Sequence, residues 1–409
     1  MTLPMSSASA RLLFHSAGRI GIVRADGSEC RALPLDVPGQ TRWQSGPQFR
    51  DESGRRVMLL FSHGTSRTAD LVRGALLRRV WVYEHDSGAL RELFAGSRPA
   101  PWIGVSAVTD AGRRAIVCAI VDGEQRLYSA DLATERCEPL TEPGSGFHYG
   151  ESLSPDGLRL ACHVTGGKDR AHRAPPHMPA PYSINVIELA TGRRTLVAGR
   201  SGNLYFGPVW SPDGETLAFL DCESGRDPAH FWADVCVADA DGSSLRRVTE
   251  GQAHWFATSH GTAEARGGGS NSVAWVPQRT TSGRGRIVWT PKLPGSRPDV
   301  RYDASRADHE EFVFAPEEAR GGTHLQLLDP QSGEGTDLTE PEAGRWDFRV
   351  SFASDGRRFA FCRTRPGRAP VLWVGDREQG IANPVTAGFD GAGADFPVWL
   401  AADEEEEEA

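Results

Sequence analysis

Leu153-Ser-Pro-Asp-Gly157 and Trp210-Ser-Pro-Asp-Gly214 are full copies of one phrase: an apolar or aromatic residue, a tight turn, then a β-rich run. Decayed copies stand at Phe352-Ala-Ser-Asp-Gly356, Trp275-Val-Pro277, Phe49-Arg-Asp-Glu-Ser-Gly54 and Val108-Thr-Asp-Ala-Gly112. Asp tolerates the turn backbone and Gly supplies a positive φ, so the phrase is a hairpin device. Strands are expected after it at Arg55–Phe61, Arg113–Ala119, Leu158–His163, Thr216–Asp221 and Arg358–Arg363.

The turns recur at spacings from the mid-forties to the high seventies, the size of a propeller blade with loop insertions. Each unit carries a second hairpin: Val80–Glu84 before Asp86-Ser-Gly88, Ser183–Glu188 before Ala190-Thr-Gly192, Asp234–Ala238 before Asp239-Ala-Asp-Gly242. Closing strands end in an apolar residue plus Thr: Leu140-Thr141, Val248-Thr249, Leu338-Thr339, Val385-Thr386. That gives six units of four strands. A seventh is split between the chain ends, with Arg11–His15, Ile20–Ala25 and Cys30–Leu33 completed by Phe396–Leu400. The expected fold is all-β: a seven-bladed β-propeller of four-stranded antiparallel blades, closed by the C-terminal strand on the N-terminal ones. A two-sheet sandwich has no need of seven equal units. Residues 1–402 read as one domain, because a ring needs every blade, and 403–409 as an acidic, solvated tail.

Of the net charge of −9, Asp403–Glu408 supplies six, leaving a body near neutral with no basic stripe for nucleic acid. No apolar run is long enough for a membrane helix, and the first ten residues lack the pattern of a secretory signal. Seven cysteines without a CxxC read as small buried hydrophobes, and a cytoplasmic location is the expectation. No GxSxG, P-loop or HExxH motif occurs.

Ligands of propellers sit at the channel mouth, where the innermost strands begin. Aligned on Phe49, Val108, Leu153, Trp210, Trp275, Phe352 and Trp399, the residues five earlier are Gln44, Ile103, His148, Tyr205, Ser270, Asp347 and Ala394. Next come Ser45, Gly104, Tyr149, Phe206, Asn271, Phe348 and Asp395, then Gly46, Val105, Gly150, Gly207, Ser272, Arg349 and Phe396. The first two rows are polar for strand starts, and the third is small in several blades, as a narrowing channel requires. An insertion, 251–271, runs into this mouth with His254, Trp255, His260 and Arg266, and its glycines would let backbone approach a ligand. A second, Arg301–Gly322, carries His309 and Arg320; a third, Gly166–Pro181, has the composition of an exposed, basic rim.

The Ser-Pro-Asp-Gly repeat resembles that of the TolB-like propellers over nearly the whole chain. Gly207–Val248 looks most like the oligogalacturonate lyases, cytoplasmic propellers that cleave short uronate chains by β-elimination with a divalent metal held largely by histidines. That resemblance implies a Gln and two His before a late innermost strand. Here Gly344, Asp347 and Arg349 occupy those places, so the metal cluster is not reproduced. A hydrolase domain such as follows the propeller in prolyl-oligopeptidase-like peptidases is not expected either.

Elimination beside a uronate carboxylate needs a cation on that carboxylate, a base for the neighbouring proton and an acid for the leaving oxygen. The expected cation is Arg349 or Arg266, the base His148 or His254, the acid Tyr149 or Tyr205, with Gln44, Trp255, His260, Asn271, Asp347 and Arg320 as substrate contacts. His254, His260 and His309 are the set from which loops could hold a divalent ion (manganese, calcium or zinc). The leading expectation is thus a carbohydrate-active lyase on small acidic saccharides. A non-catalytic binding or scaffold propeller with a protein partner on its rim, and a metal-dependent lyase on a non-sugar substrate, are the alternatives.

Overall fold

The computed structural model describes residues 10–400 apart from 65–75, 110–111, 166–181, 201, 224–230, 278–284, 304–311, 388 and 390. Its sheets form seven four-stranded antiparallel blades, six from consecutive strands and one from both ends of the chain. The innermost strands of blades 1 to 6 are Arg42–Arg50, Ile103–Thr109, Phe147–Leu153, Asn203–Trp210, Ala274–Trp275 and Trp346–Phe352. Asp395–Trp399 is innermost in blade 7, where it pairs with Arg11–Ser16 in the register Leu12 to Trp399, Leu13 to Val398 and His15 to Asp395. Closure of this kind removes the open sheet edges.

The repeated phrase folds alike wherever it occurs. In blade 3 the Ser154 and Arg159 backbones pair (N to O 2.8 Å), and Gly157, at φ 72°, returns its N–H to Ser154 O at 2.9 Å. Asp156 Oδ1 accepts from Leu158 N at 3.0 Å, and Ser154 Oγ from Arg159 N at 2.9 Å. Ser211, Asp213 and Gly214 repeat every bond. Where Ser becomes Ala353, the backbone bonds and the Asp355 acceptor survive without the hydroxyl.

Two other recurring residues tie strands and blades together. Thr141, Thr249, Thr339 and Thr386 each lend Oγ1 to the N–H of the residue fourteen before it, at 2.8 to 3.0 Å. Those N–H groups, of Leu127, Val235, Leu325 and Leu372, lie in third strands or, for Leu325, just before one, beyond the reach of the short fourth strands. The tryptophans that end innermost strands donate to the preceding blade: Trp210 to Ser152 O (2.9 Å), Trp275 to Val209 O (3.1 Å) and Trp399 to Ser351 O (3.0 Å). Between blades lie apolar layers, such as Leu59, Phe61 and Val80 against Ile103, Val105 and Val117. Each fully buried side chain of this size contributes about 1.5–3 kcal/mol.

The insertions are partly ordered as strands. His254–Trp255 adds to blade 4 beside Trp232 and Ala233, and Ala257–Gly261 with Arg266–Ser270 forms a separate hairpin. Val300–Tyr302 pairs with Phe312–Phe314. No helix among the described residues is long and apolar enough to cross a membrane. The Thr acceptors lead to a test: Thr386→Val keeps the shape but orphans the buried Leu372 N–H, at a cost of about 1–3 kcal/mol. Equilibrium denaturation should show that loss, and an unchanged midpoint would refute the role.

Candidate functional site

At the mouth the innermost strands are bulged at one level, between Ser45 and Gln48, Val105 and Ala107, Tyr149 and Ser152, Phe206 and Val209, and Phe348 and Ser351. Bulge residues take the left-handed conformation: Gly150 (φ 59°), Gly207 (55°), Arg349 (51°) and, in the closing strand, Phe396 (53°). These positions meet around the channel. A Cβ on Gly150 would stand 3.6 Å from Gly207 Cα, and one on Gly207 only 2.8 Å from Ser272 Oγ. Crowding at the bulge level accounts for the glycines of the third row at Gly150 and Gly207. Two non-glycine residues tolerate this backbone, and both belong to one knot.

Arg349 is the centre of that knot. Its Nη1 donates to Asp395 Oδ2, Nη2 to Thr258 Oγ1 at 3.0 Å and Nε to Ser270 O at 3.4 Å, while its backbone N–H reaches Asn271 Oδ1 at 2.9 Å. The guanidinium carbon lies 3.7 Å over the Phe396 ring. His260 Nε2 meets Asp395 Oδ2 at 2.9 Å and stacks on Phe348. Burial alone would push the Asp395 carboxyl up, but the Arg349 charge and then His260 hold it well below the usual range. The Gly267–Gly269 run serves this packing. Added Cβ atoms would come within 2.4 Å of His260 Cε1, 2.6 Å of Thr258 O and 3.1 Å of Arg349 Nη2, so the glycines answer to protein rather than ligand.

Several residues expected to act on a substrate are thereby committed inside the protein. His148 and His254 are 0 % exposed, Tyr205 2 % and Arg349 6 %. His254 donates from Nε2 to Asn271 O (2.7 Å) and accepts at Nδ1 from Thr290 N–H (3.1 Å); burial pulls its pKa to about 4. His148 turns Nδ1 to Gln125 O and is likewise pulled to about 4 by burial. Tyr205 packs edge-on against Phe219 in an inter-blade core, its phenol pushed up to about 12 by burial. Asn271 braces the knot from Nδ2 to Trp255 O and Thr290 Oγ1, Trp255 packs against Trp346 and Phe348, and Asp347 is held by both arms of Arg363. Arg266 stacks on Phe314 beside Asp299, and Arg320 bonds Gly295 O at the rim. His309 and the 166–181 segment lie outside the described residues.

The same geometry does not fit the proposed metal set. Both His254 nitrogens are engaged, and a dication on His260 and Asp395 would face the Arg349 guanidinium. Among the described residues no group of three or more His, Cys, Asp or Glu is placed to hold a metal ion.

What the mouth does present are half-buried groups of blades 1, 3 and 7: Arg78, Tyr149, Glu151, His163 and His15. Arg78 precedes the third strand of blade 1, Arg79–Glu84. Its guanidinium lies between Phe61 (4.4 Å) and Trp102 (5.2 Å), with Nη2 donating to Gln44 Oε1. Nη1 faces Gly104 of blade 2, where a Cβ would come within 3.0 Å. Among the described residues no carboxylate pairs with it. Burial lowers its pKa to about 10, which leaves it cationic at neutral pH. Tyr149 stacks between Phe147 (5.4 Å) and His163 (5.3 Å); burial, then Tyr182 and Glu151, push its phenol up. Glu151 accepts from Gln125 Nε2 at 3.3 Å and bonds Ser106, and burial pushes its carboxyl up. The two histidines are neutral acceptors already served: His163 by Gly207 N–H (3.3 Å) and His15 by Ser45 N–H (3.0 Å), burial pulling them to about 3 and about 4.

Sequence reasoning missed Arg78 and Glu151. For Glu151 a signal existed. One position beyond the third row stand Pro47, Ser106, Glu151, Pro208, Val273, Val350 and Pro397, and Glu151 is the charged member. A separate groove of about 370 Å³ lies at the opposite, turn end between blades 1 and 2, floored by Phe49, Val57, Leu90 and Leu132. Its rim arginines, Arg55, Arg91 and Arg113, pair with Asp51, Glu135 and Asp131.

No protein-family model and no curated protein matches the chain. Among solved structures it is similar to a puromycin-hydrolyzing peptidase of Mycobacterium tuberculosis, at 14 % identity over 94 % of this chain and 55 % of that one, TM-score 0.56. It thus spans about half of that peptidase. An oligogalacturonate lyase of Vibrio parahaemolyticus is 13 % identical over 92 % of this chain and 84 % of that one, TM-score 0.52. TolB of Acinetobacter baumannii is 14 % identical over 95 % and 81 %, TM-score 0.43. At such identities the likeness establishes the fold alone.

The knot makes a signed prediction. Asp395, held low, contributes stability that is full above the unfolded carboxylate pKa and is lost as pH falls. Arg349→Met strands a buried charge, which should cost about 3–5 kcal/mol at pH 7. The deficit should shrink towards pH 4, where Asp395 can take up a proton. Denaturation at both pH values checks this; an equal deficit at both would remove Asp395 as the cause.

Proposed function

We propose that the chain is a carbohydrate-active lyase that binds small uronate-containing saccharides at this mouth and cleaves them by β-elimination. The observation that carries the reading is Arg78, a guanidinium flanked by two aromatic faces and lacking a carboxylate partner among the described residues. Such a group suits a planar ligand carboxylate, which it can take up through paired N–H donors. Trp102 adds an aromatic face beside it. Neutralising the carboxylate acidifies the adjacent C–H, and the partly exposed Tyr149 phenol can supply a proton to the departing oxygen. Arg78 thus takes the part that the sequence alone suggested for Arg349.

A second reading, binding of the same ligand without chemistry, is favoured by the commitment of the mouth histidines to backbone N–H groups. One experiment separates the two. Wild type and Arg78→Met are compared for unsaturated-uronate absorbance and for calorimetric binding, using oligogalacturonates and related acidic saccharides. Wild type should produce absorbance that a chelator leaves unchanged. The variant should bind about 10–100-fold more weakly, the value of one charge-assisted contact. Saturable binding without absorbance would establish the second reading. Equal affinity in wild type and variant would remove Arg78, and the proposed site, from the account.

A further inference from the structure

The elimination needs a proton acceptor, and the imidazoles first considered for it are buried or already bonded. We propose that Glu151 is that acceptor, an assignment that rests on the lyase reading above. Glu151 is half-buried at the bulge of blade 3, one residue past the left-handed Gly150 and two past Tyr149, whose phenol feels its charge. Gln125 Nε2 donates to Oε1 and Ser106 supplies a second side-chain bond, so the group is oriented. Among the described residues no basic side chain pairs with it. Arg78 and Glu151 both neighbour Cys118: a Cβ on Gly104 would lie 3.0 Å from both Arg78 Nη1 and Cys118 Sγ, and the Cys118 thiol, pushed up by burial, feels Glu151 next and then Arg78. A uronate carboxylate on Arg78 is therefore held in the arc of the mouth that also carries Glu151 and Tyr149.

In the step itself Glu151 takes the proton from the carbon bearing the carboxylate. The released electron pair forms the ring double bond, the C–O bond of the adjoining glycosidic link breaks, and Tyr149 protonates the leaving oxygen. No oxidant or reductant is needed. The groups facing Glu151 are Ser106, Gln125 and Cys118 of blade 2 with Tyr149 and Cys162 of blade 3; burial raises its pKa, against hydrogen bonds from its own backbone, Ser106 and Gln125 that lower it. Desolvation outweighs those bonds and raises its proton affinity above that of a free carboxylate, the direction a base of this kind requires.

The test compares wild type, Glu151→Gln and Glu151→Ala on the best oligouronate, with calorimetric affinity, kcat, KM and the pH profile of kcat. Glu151→Gln should melt no lower than wild type at neutral pH, because a carboxyl with a raised pKa costs stability above its unfolded pKa. Its affinity should stay within about threefold, while kcat falls by about 10²–10⁴. The low-pH limb of the wild-type profile should vanish from the residual activity, and added formate should restore rate to Glu151→Ala. A kcat within tenfold of wild type, a retained low-pH limb, or a lost rate that formate cannot restore would overturn the assignment while the lyase reading stands. Wild type that binds without eliminating would overturn both, leaving the Arg78 binding site intact.

Discussion

Closing the ring on five residues is the constraint from which the rest of this molecule follows. Asp395–Trp399 must reach the N-terminal strand, and its first residue is a carboxylate in register with His15. A charge at that depth is expensive unless it is paired and bonded. The chain answers with Arg349 from blade 6 and His260 from the hairpin after blade 4, so one interaction joins the closing strand, its neighbour and the insertion. The strained backbone at Arg349 and Phe396 belongs to the same arrangement, since each places its side chain in the other's reach.

That solution divides the mouth into two halves of different character. On the side of blades 5 to 7, polar residues are used up by closure, and the glycine strand packs directly against His260, Thr258 and Arg349. On the side of blades 1 to 3, a cation, a carboxylate and a phenol keep some exposure and are not consumed by one another. A propeller can thus look uniformly polar at its mouth while only one arc of it is available for chemistry.

The fold was legible because its determinants are local. Asp156 and Gly157 act on neighbours within the same turn, and each closing Thr acts at one fixed distance along the chain, so the repeats announce themselves. Trp210, Trp275 and Trp399, chosen only as alignment marks, proved to be the residues that bond across blades. The site was less legible because its determinants are differences between partners remote in sequence. Arg349 looked like an open clamp, and nothing near it in the chain reveals that Asp395 consumes its charge. Arg78 escaped notice because it enters the mouth from a third strand, outside the innermost rows. Glu151 was displaced by a bulge that alternation cannot foresee, although its row held no other charge.

On the proposed reading the blade 1 to 3 arc, and not the knot or the turn-end groove, takes the ligand. A crystal structure of Glu151→Gln with a bound digalacturonate tests this most directly. The expected density shows a ligand carboxylate on the Arg78 guanidinium, a sugar face near Trp102, and the proton-bearing carbon towards residue 151. A saccharide seated in the groove floored by Phe49 and Leu132, or one that displaces Asp395 from Arg349, would contradict it.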